Sequence, residues 1–149
     1  WLEEGKADIL GLYMVTGLLK KGELTGDIKD YYTTFMAGLL RSVRFGASSA
    51  HGKANMQCFN YFKAQGAFQR LANGTYKVDF DKFKTSMNSL AKLIITLQGN
   101  GDRLAVEKAQ KTNGIIATEL QGDLNRLGKK GIPVDLVFEQ GVDVLGMVK

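Results

Sequence analysis

Ile28-Lys29-Asp30-Tyr31-Tyr32-Thr33-Thr34-Phe35-Met36-Ala37-Gly38-Leu39-Leu40-Arg41-Ser42-Val43 sets large apolar side chains at 28, 31, 32, 35, 36, 39, 40 and 43. Steps of three and four residues put these side chains on one stripe of an α-helix. Asp27 or Thr25 is placed to cap its start and Gly46 to end it, so a helix is predicted over about 27–45.

The same reading extends in both directions. Leu12, Val15, Leu18 and Leu19 share helical spacing within 2–20, and Lys20-Lys21-Gly22 supplies cations and a glycine for its C-terminus. Ser48 or Ser49 caps a third helix over about 49–65, carrying Met56, Phe59, Tyr61 and Phe62. Asp79 or Asp81 caps a fourth over about 80–98, with Phe80, Phe83, Met87, Leu90, Leu93, Ile94 and Leu97 inward and Gln98-Gly99-Asn100-Gly101 closing it. Between the third and fourth, Asn73-Gly74 separates Phe68–Leu71 from Tyr76–Val78, the signature of a hairpin with a type I′ turn over about 67–79. Short helices follow from Asp102 to about Lys111 and from Thr118 to Leu127, ending at Gly128. After Pro133, Val134–Phe138 reads as a strand or extended piece. The expected architecture is mainly α: one bundle-like helical domain over 1–149 with a single inserted hairpin.

Composition excludes several classes. With 44% hydrophobic and 23% charged residues, 149 residues suffice for a real core. No apolar run approaches the ~20 residues of a membrane span, so no membrane partner is expected. The net charge of +5 comes from scattered lysines, not from basic runs interleaved with aromatics, so a basic nucleic-acid-binding domain is only a distant alternative. Gly99 and Gly101 lack the flanking strand and the Gly-Lys-Ser/Thr of a phosphate loop. The lone Cys58 forms no internal disulfide and reads as a buried structural thiol. It fits a reducing compartment, and the cytoplasm is the expected location.

Trp1-Leu2-Glu3-Glu4-Gly5-Lys6-Ala7-Asp8 holds three carboxylates ahead of an apolar helix. Glu4 and Asp8 are i and i+4, one turn apart on one face, with Glu3 beside them. That layout suits a metal-ligating carboxylate with supporting carboxylates, and equally an acidic first turn facing the helix dipole. His51 and Asn55 likewise share a face of the third helix.

Glu3-Glu4-Gly5-Lys6-Ala7-Asp8 resembles the Glu-Glu-Cys-Arg-Ala-Asp/Glu zinc motif of the dipeptidyl peptidase III family of zinc metallopeptidases. Ala37-Gly38-Leu39-Leu40 with Phe45, then Asn55-Met56-Gln57, then Leu93 to Gly101-Asp102 are similar to further family segments in the same order. The resemblance spans roughly residues 1 to 115. Gly5 and Lys6 replace the family's Cys and Arg, marking a divergent, bacterial-type branch.

The resemblance implies that Glu4 is a zinc ligand and that Glu3 and Asp8 are the carboxylates that hold the zinc-binding histidines. It implies His51 and Asn55 as peptide-contacting residues, Asn55 standing in the register of a family histidine. Cys58, Phe59 and Asn60 stand where the family has an arginine, which puts substrate preference in doubt. The family's His-Glu-x-x-Gly-His motif, source of two ligands and the general base, has no counterpart in this chain and would precede Trp1. The chain is therefore expected to be the C-terminal fragment of a catalytic lobe. Its parent would release N-terminal dipeptides; the fragment would neither hold Zn2+ nor catalyse alone. Its partners would be peptide substrate and the missing N-terminal part of the same protein. The alternative from another class is a non-enzymatic helical interaction module that uses its apolar stripes for a partner.

Overall fold

The structure, a computed structural model, describes residues 1–136, 138–142 and 144–147. Six helices and one hairpin follow in the order α1 (Leu2–Lys21), α2 (Ile28–Ser42), α3 (Ala50–Ala64), β1 (Phe68–Arg70), β2 (Tyr76–Val78), α4 (Phe80–Asn100), α5 (Arg103–Asn113) and α6 (Thr118–Lys129). The caps explain the boundaries. Asp27, Ser49, Asp79 and Asp102 each accept a hydrogen bond from a first-turn backbone N–H, at 2.9–3.1 Å. Left-handed Gly22 and Gly101 close α1 and α4.

Four expectations need correction. The helix expected over about 27–45 is α-helical only to Ser42, and Val43–Phe45 tighten into a 3-10 turn before Gly46. Helix α6 passes through Gly128 to Lys129, because Gly131, at φ 73°, supplies the left-handed turn instead. The hairpin is not closed by a type I′ turn, since no residue other than glycine has positive φ. Gly74 alone does, at φ 77°; its N–H donates to Leu71 O, and Leu71 N–H donates to Thr75 O. Asn73 stays in ordinary backbone space, where its side chain accepts from the Thr75 N–H at 3.0 Å. Of the extended piece expected at 134–138, residues 134–136 and 138 form no strand, and Val137 lies outside the described residues.

The core is centred on α3, packed between α1, α2 and α4. Ala54 to Phe59 are buried without interruption, and Phe62 joins them. Tyr32 stacks on Phe83 with ring centroids 4.8 Å apart, and Phe62 lies 4.5 Å from Phe83. Phe59 meets Phe68 of the hairpin at 4.9 Å. Tyr32, Phe59 and Phe62 are thus core, with Phe35 and Tyr61 packed against it, while Tyr31, expected there too, lies outside it and donates to Thr25 O. Two apolar residues depart from their stripes: Leu18 on α1 and Leu93 on α4 face solvent, and α1 contributes Ile9 and Leu12 to the core.

A buried ion cluster fastens the hairpin to α6. Arg70 grips the Asp123 carboxylate with two bonds of 2.6 and 2.8 Å, and Tyr76 Oη donates to it at 2.7 Å. Arg126 stands 3.6 Å away and also donates to Gly74 O at 2.6 Å. The Arg70 bonds hold the Asp123 carboxyl at about 2, and burial with the same carboxylate pushes the Tyr76 phenol up. A depressed carboxyl stabilises the fold fully above the ordinary carboxylate range, and that stabilisation fades as pH falls toward about 2. Asp123→Ala should cost about 2–3 kcal/mol at pH 7 by urea denaturation. That is below the ~3–5 kcal/mol of a fully enclosed pair, because Arg70 keeps some contact with water. The gap between variant and parent chain should shrink steadily as the titration approaches pH 2.

Candidate functional site

The site begins at the N-terminus of α1, where no residue earlier in the helix can satisfy the first N–H groups and negative charge is welcome. Gly5 lies against α3 and α4, and this fixes which way its neighbours point. A Cβ on Gly5 would lie 3.6 Å from Ile94 Cδ1 and 3.7 Å from Ala54 Cβ, ordinary contact distances. With Gly5 inward, Glu4 and Asp8 lie along the flank facing the start of α3.

There Glu4 Oε2 meets His51 Nε2 at 3.2 Å. Both side chains reach solvent, His51 at 67% and Glu4 at 37% exposure. Asp8 is half-buried one turn further along α1. Burial raises its carboxyl above the ordinary range, His51 opposes that shift, and the neighbouring Glu4 charge adds to it. Asn55, one turn beyond His51, is buried at 8% exposure. Gly52 sets the approach of α3: its Cα lies so close to the carbonyl of Gly46 that a Cβ there would collide with backbone.

Glu3 points elsewhere. Its carboxylate takes Lys6 Nζ at 2.8 Å and Gln98 Nε2 at 2.9 Å, and the Lys6 bond, then the Gln98 bond, lower its acidity range. It ties α1 to the end of α4 and stands apart from the Glu4–His51–Asp8 group. The sequence offered no sign of Gln98 in this role, because its partner is 95 residues away. Cys58, Phe59 and Asn60 are structural. Cys58 and Phe59 are buried, while Asn60 Nδ2 donates to the carbonyls of Asn113 and Ile115. Burial first, and the charge of Asp8 second, push the Cys58 thiol up to about 12, so it is no nucleophile.

As a metal centre, the donor set is one-sided. Glu4 offers a solvent-reaching carboxylate oxygen with a second carboxylate and an imidazole beside it, the chemistry a zinc ligand and its supports require. Among the described residues, no group of three or more His, Cys, Asp or Glu is arranged to hold a metal. The residues fit one wall of a zinc site.

No family model matches the chain. Over 136 residues it is 38% identical to a protein of Arabidopsis thaliana named Nudix hydrolase 3, a match covering 91% of this chain and 18% of that protein. Two solved structures share its fold over 91% of its length. One is the dipeptidyl peptidase III of Caldithrix abyssi, with TM-score 0.84, 35% identity and 26% of that chain covered. The other is the dipeptidyl peptidase III of Corallococcus sp. strain EGB, with TM-score 0.85, 39% identity and 25% covered. The chain thus spans about a fifth to a quarter of the length of the proteins it matches.

Three stability measurements check this geometry. Gly5→Ala should raise stability by about 0.5–1 kcal/mol, since a helical glycine is replaced where space exists. Gly52→Ala should lower it by about 1–3 kcal/mol, because backbone must move. Asp8→Asn should also raise the thermal midpoint of this chain. A carboxyl raised by burial opposes folding as it ionises, so the gain should be larger at pH 7 than at pH 3.

Proposed function

We propose, on the premise that this chain belongs to the dipeptidyl peptidase III family, that it forms the glutamate-bearing wall of the zinc site in a dipeptide-releasing peptidase. The observation that carries the reading is the solvent-reaching Glu4, one turn from half-buried Asp8 and 3.2 Å from His51 on a separate helix. An acidic helix start serving only the dipole needs neither a half-buried carboxylate nor a facing helix.

In this reading Glu4 is the carboxylate ligand. Asp8 accepts the second ring N–H of a zinc-binding histidine, and its burial keeps it from turning to solvent. Glu3, bonded to Lys6 and Gln98, holds the first turn of α1 in place from the far side. His51 and Asn55 line the face where peptide is bound. When bound, zinc supplies the Lewis acid that polarises the scissile carbonyl and lowers the acidity range of water. The two histidine ligands and the general base come from a His-Glu-x-x-Gly-His segment of the parent protein, which we place before Trp1. The peptide substrate and that segment are the partners, and the cytoplasm the compartment, of this proposal.

The name of the plant relative points to another hydrolase, but the matched stretch is 18% of that protein. Both matched structures are named for the peptidase.

The test is made in the parent protein. Glu4→Ala should remove zinc and peptidase activity together, because one of three protein ligands is gone. Asp8→Ala should cost about 10–100-fold in zinc affinity or turnover. Metal analysis of the 149-residue chain after dialysis against Zn2+ should find no tight stoichiometric ion. Full zinc occupancy and turnover in Glu4→Ala would sink the assignment.

A further inference from the structure

A groove of about 970 Å3 opens between the second half of α1, the α1–α2 connection and the start of α4. It lies 9 to 16 residues along α1 from Glu4, which at the helical rise is roughly 14–24 Å. Its floor is apolar: Leu19, Leu24, Ile28, Tyr32 and Met87, with Tyr13 at the edge. The polar atoms in it are already satisfied, since Thr16 Oγ1 donates to Leu12 O at 2.9 Å and lies 3.3 Å from Tyr32 Oη.

The rim carries Lys20 of α1, Lys29 of α2 and Lys84 of α4. None of the three has an ion-pair partner among the described residues. Lys29 lies 5.7 Å over the Phe80 ring, so it is held at the mouth. Two carboxylates also border the groove. Asp27 caps α2 through Lys29 N and keeps its charge, so Asp27 and Asp81 stand against three cations and the groove stays net positive.

We propose that this groove docks an acidic polypeptide segment carrying apolar side chains. The apolar floor takes the hydrophobic side chains, and the three lysines take the carboxylates. A duplex or single strand of nucleic acid is a poorer match, because no arginine lines the groove and most of its floor is aliphatic. A bilayer is a poorer match too, since a membrane needs protruding apolar side chains and Tyr32 and Met87 are recessed. The proposal goes beyond the zinc reading and uses none of its residues.

The experiment follows fluorescence anisotropy of a labelled peptide that alternates Glu with Leu and Phe, added to the 149-residue chain. Saturable binding should weaken as salt rises from about 0.05 to about 0.5 M. Lys20→Glu with Lys84→Glu should weaken it about tenfold or more, as expected when two rim attractions become repulsions. Both lysines are exposed, so circular dichroism should show the fold retained, with the thermal midpoint lowered only slightly by the acidic side chain at the end of α1. Equal binding of the Lys-for-Glu peptide, or of a Glu-rich peptide without apolar residues, would overturn the proposal. So would indifference to the double charge reversal, absence of saturable binding, or light scattering that shows a dimer sealed through this groove.

Discussion

Helix α3 has no dry side to spare: Ala54 through Phe59 are all buried, so every neighbouring element must be shaped around it. Two of those positions are polar, and a buried polar group costs free energy unless it is bonded. Gln57 Nε2 meets the requirement by donating to Ala109 O at 2.7 Å, and Asn60 further along bonds the end of α5. Helix α5 has no buried residue of its own. Polar bonds from α3, rather than an apolar stripe, therefore hold it. Asn55, the other buried polar residue, is left on the flank it shares with His51, where α3 meets the start of α1.

The glycines at that meeting govern the distance. Gly5 allows the first turn of α1 to sit against Ala54 and Ile94, and Gly52 allows α3 to run tight under Gly46. Together they bring the ends of two helices close enough for Glu4 and His51 to touch.

Much of this was written in the residue pattern. The stripe from Ile28 to Val43 and the inner face of α4 announced their helices because burial on one side imposes a period. The capping aspartates and serines marked the starts. The misread positions are those that spacing along the chain does not decide. Leu93 and Leu18 fit their helical spacing, yet no neighbour covers them. Asn73-Gly74 signals a hairpin, but its turn type follows from local bonds that only coordinates reveal. Asp123 carries no local sign of its role, because Arg70 and Tyr76, the partners that bury it, lie about 50 residues away. At the site, Glu4 and Asp8 shared a face by local spacing alone. Their relation to His51 needed the packing of α1 on α3, and the turning away of Glu3 needed the end of α4.

The latch between hairpin and α6 also orders events in time. Strands of three residues give a hairpin too few bonds and too little buried surface to persist alone in water. Its turn residue Gly74 is covered by Arg126, 52 residues later, and its Arg70 is neutralised by Asp123, 53 residues later. Closing loops of that length is an entropic cost met before the contacts reward it. During chain growth the hairpin therefore waits, unlatched, while α4 and α5 are made. Asp123 and Arg126 can lock it only once α6 has emerged.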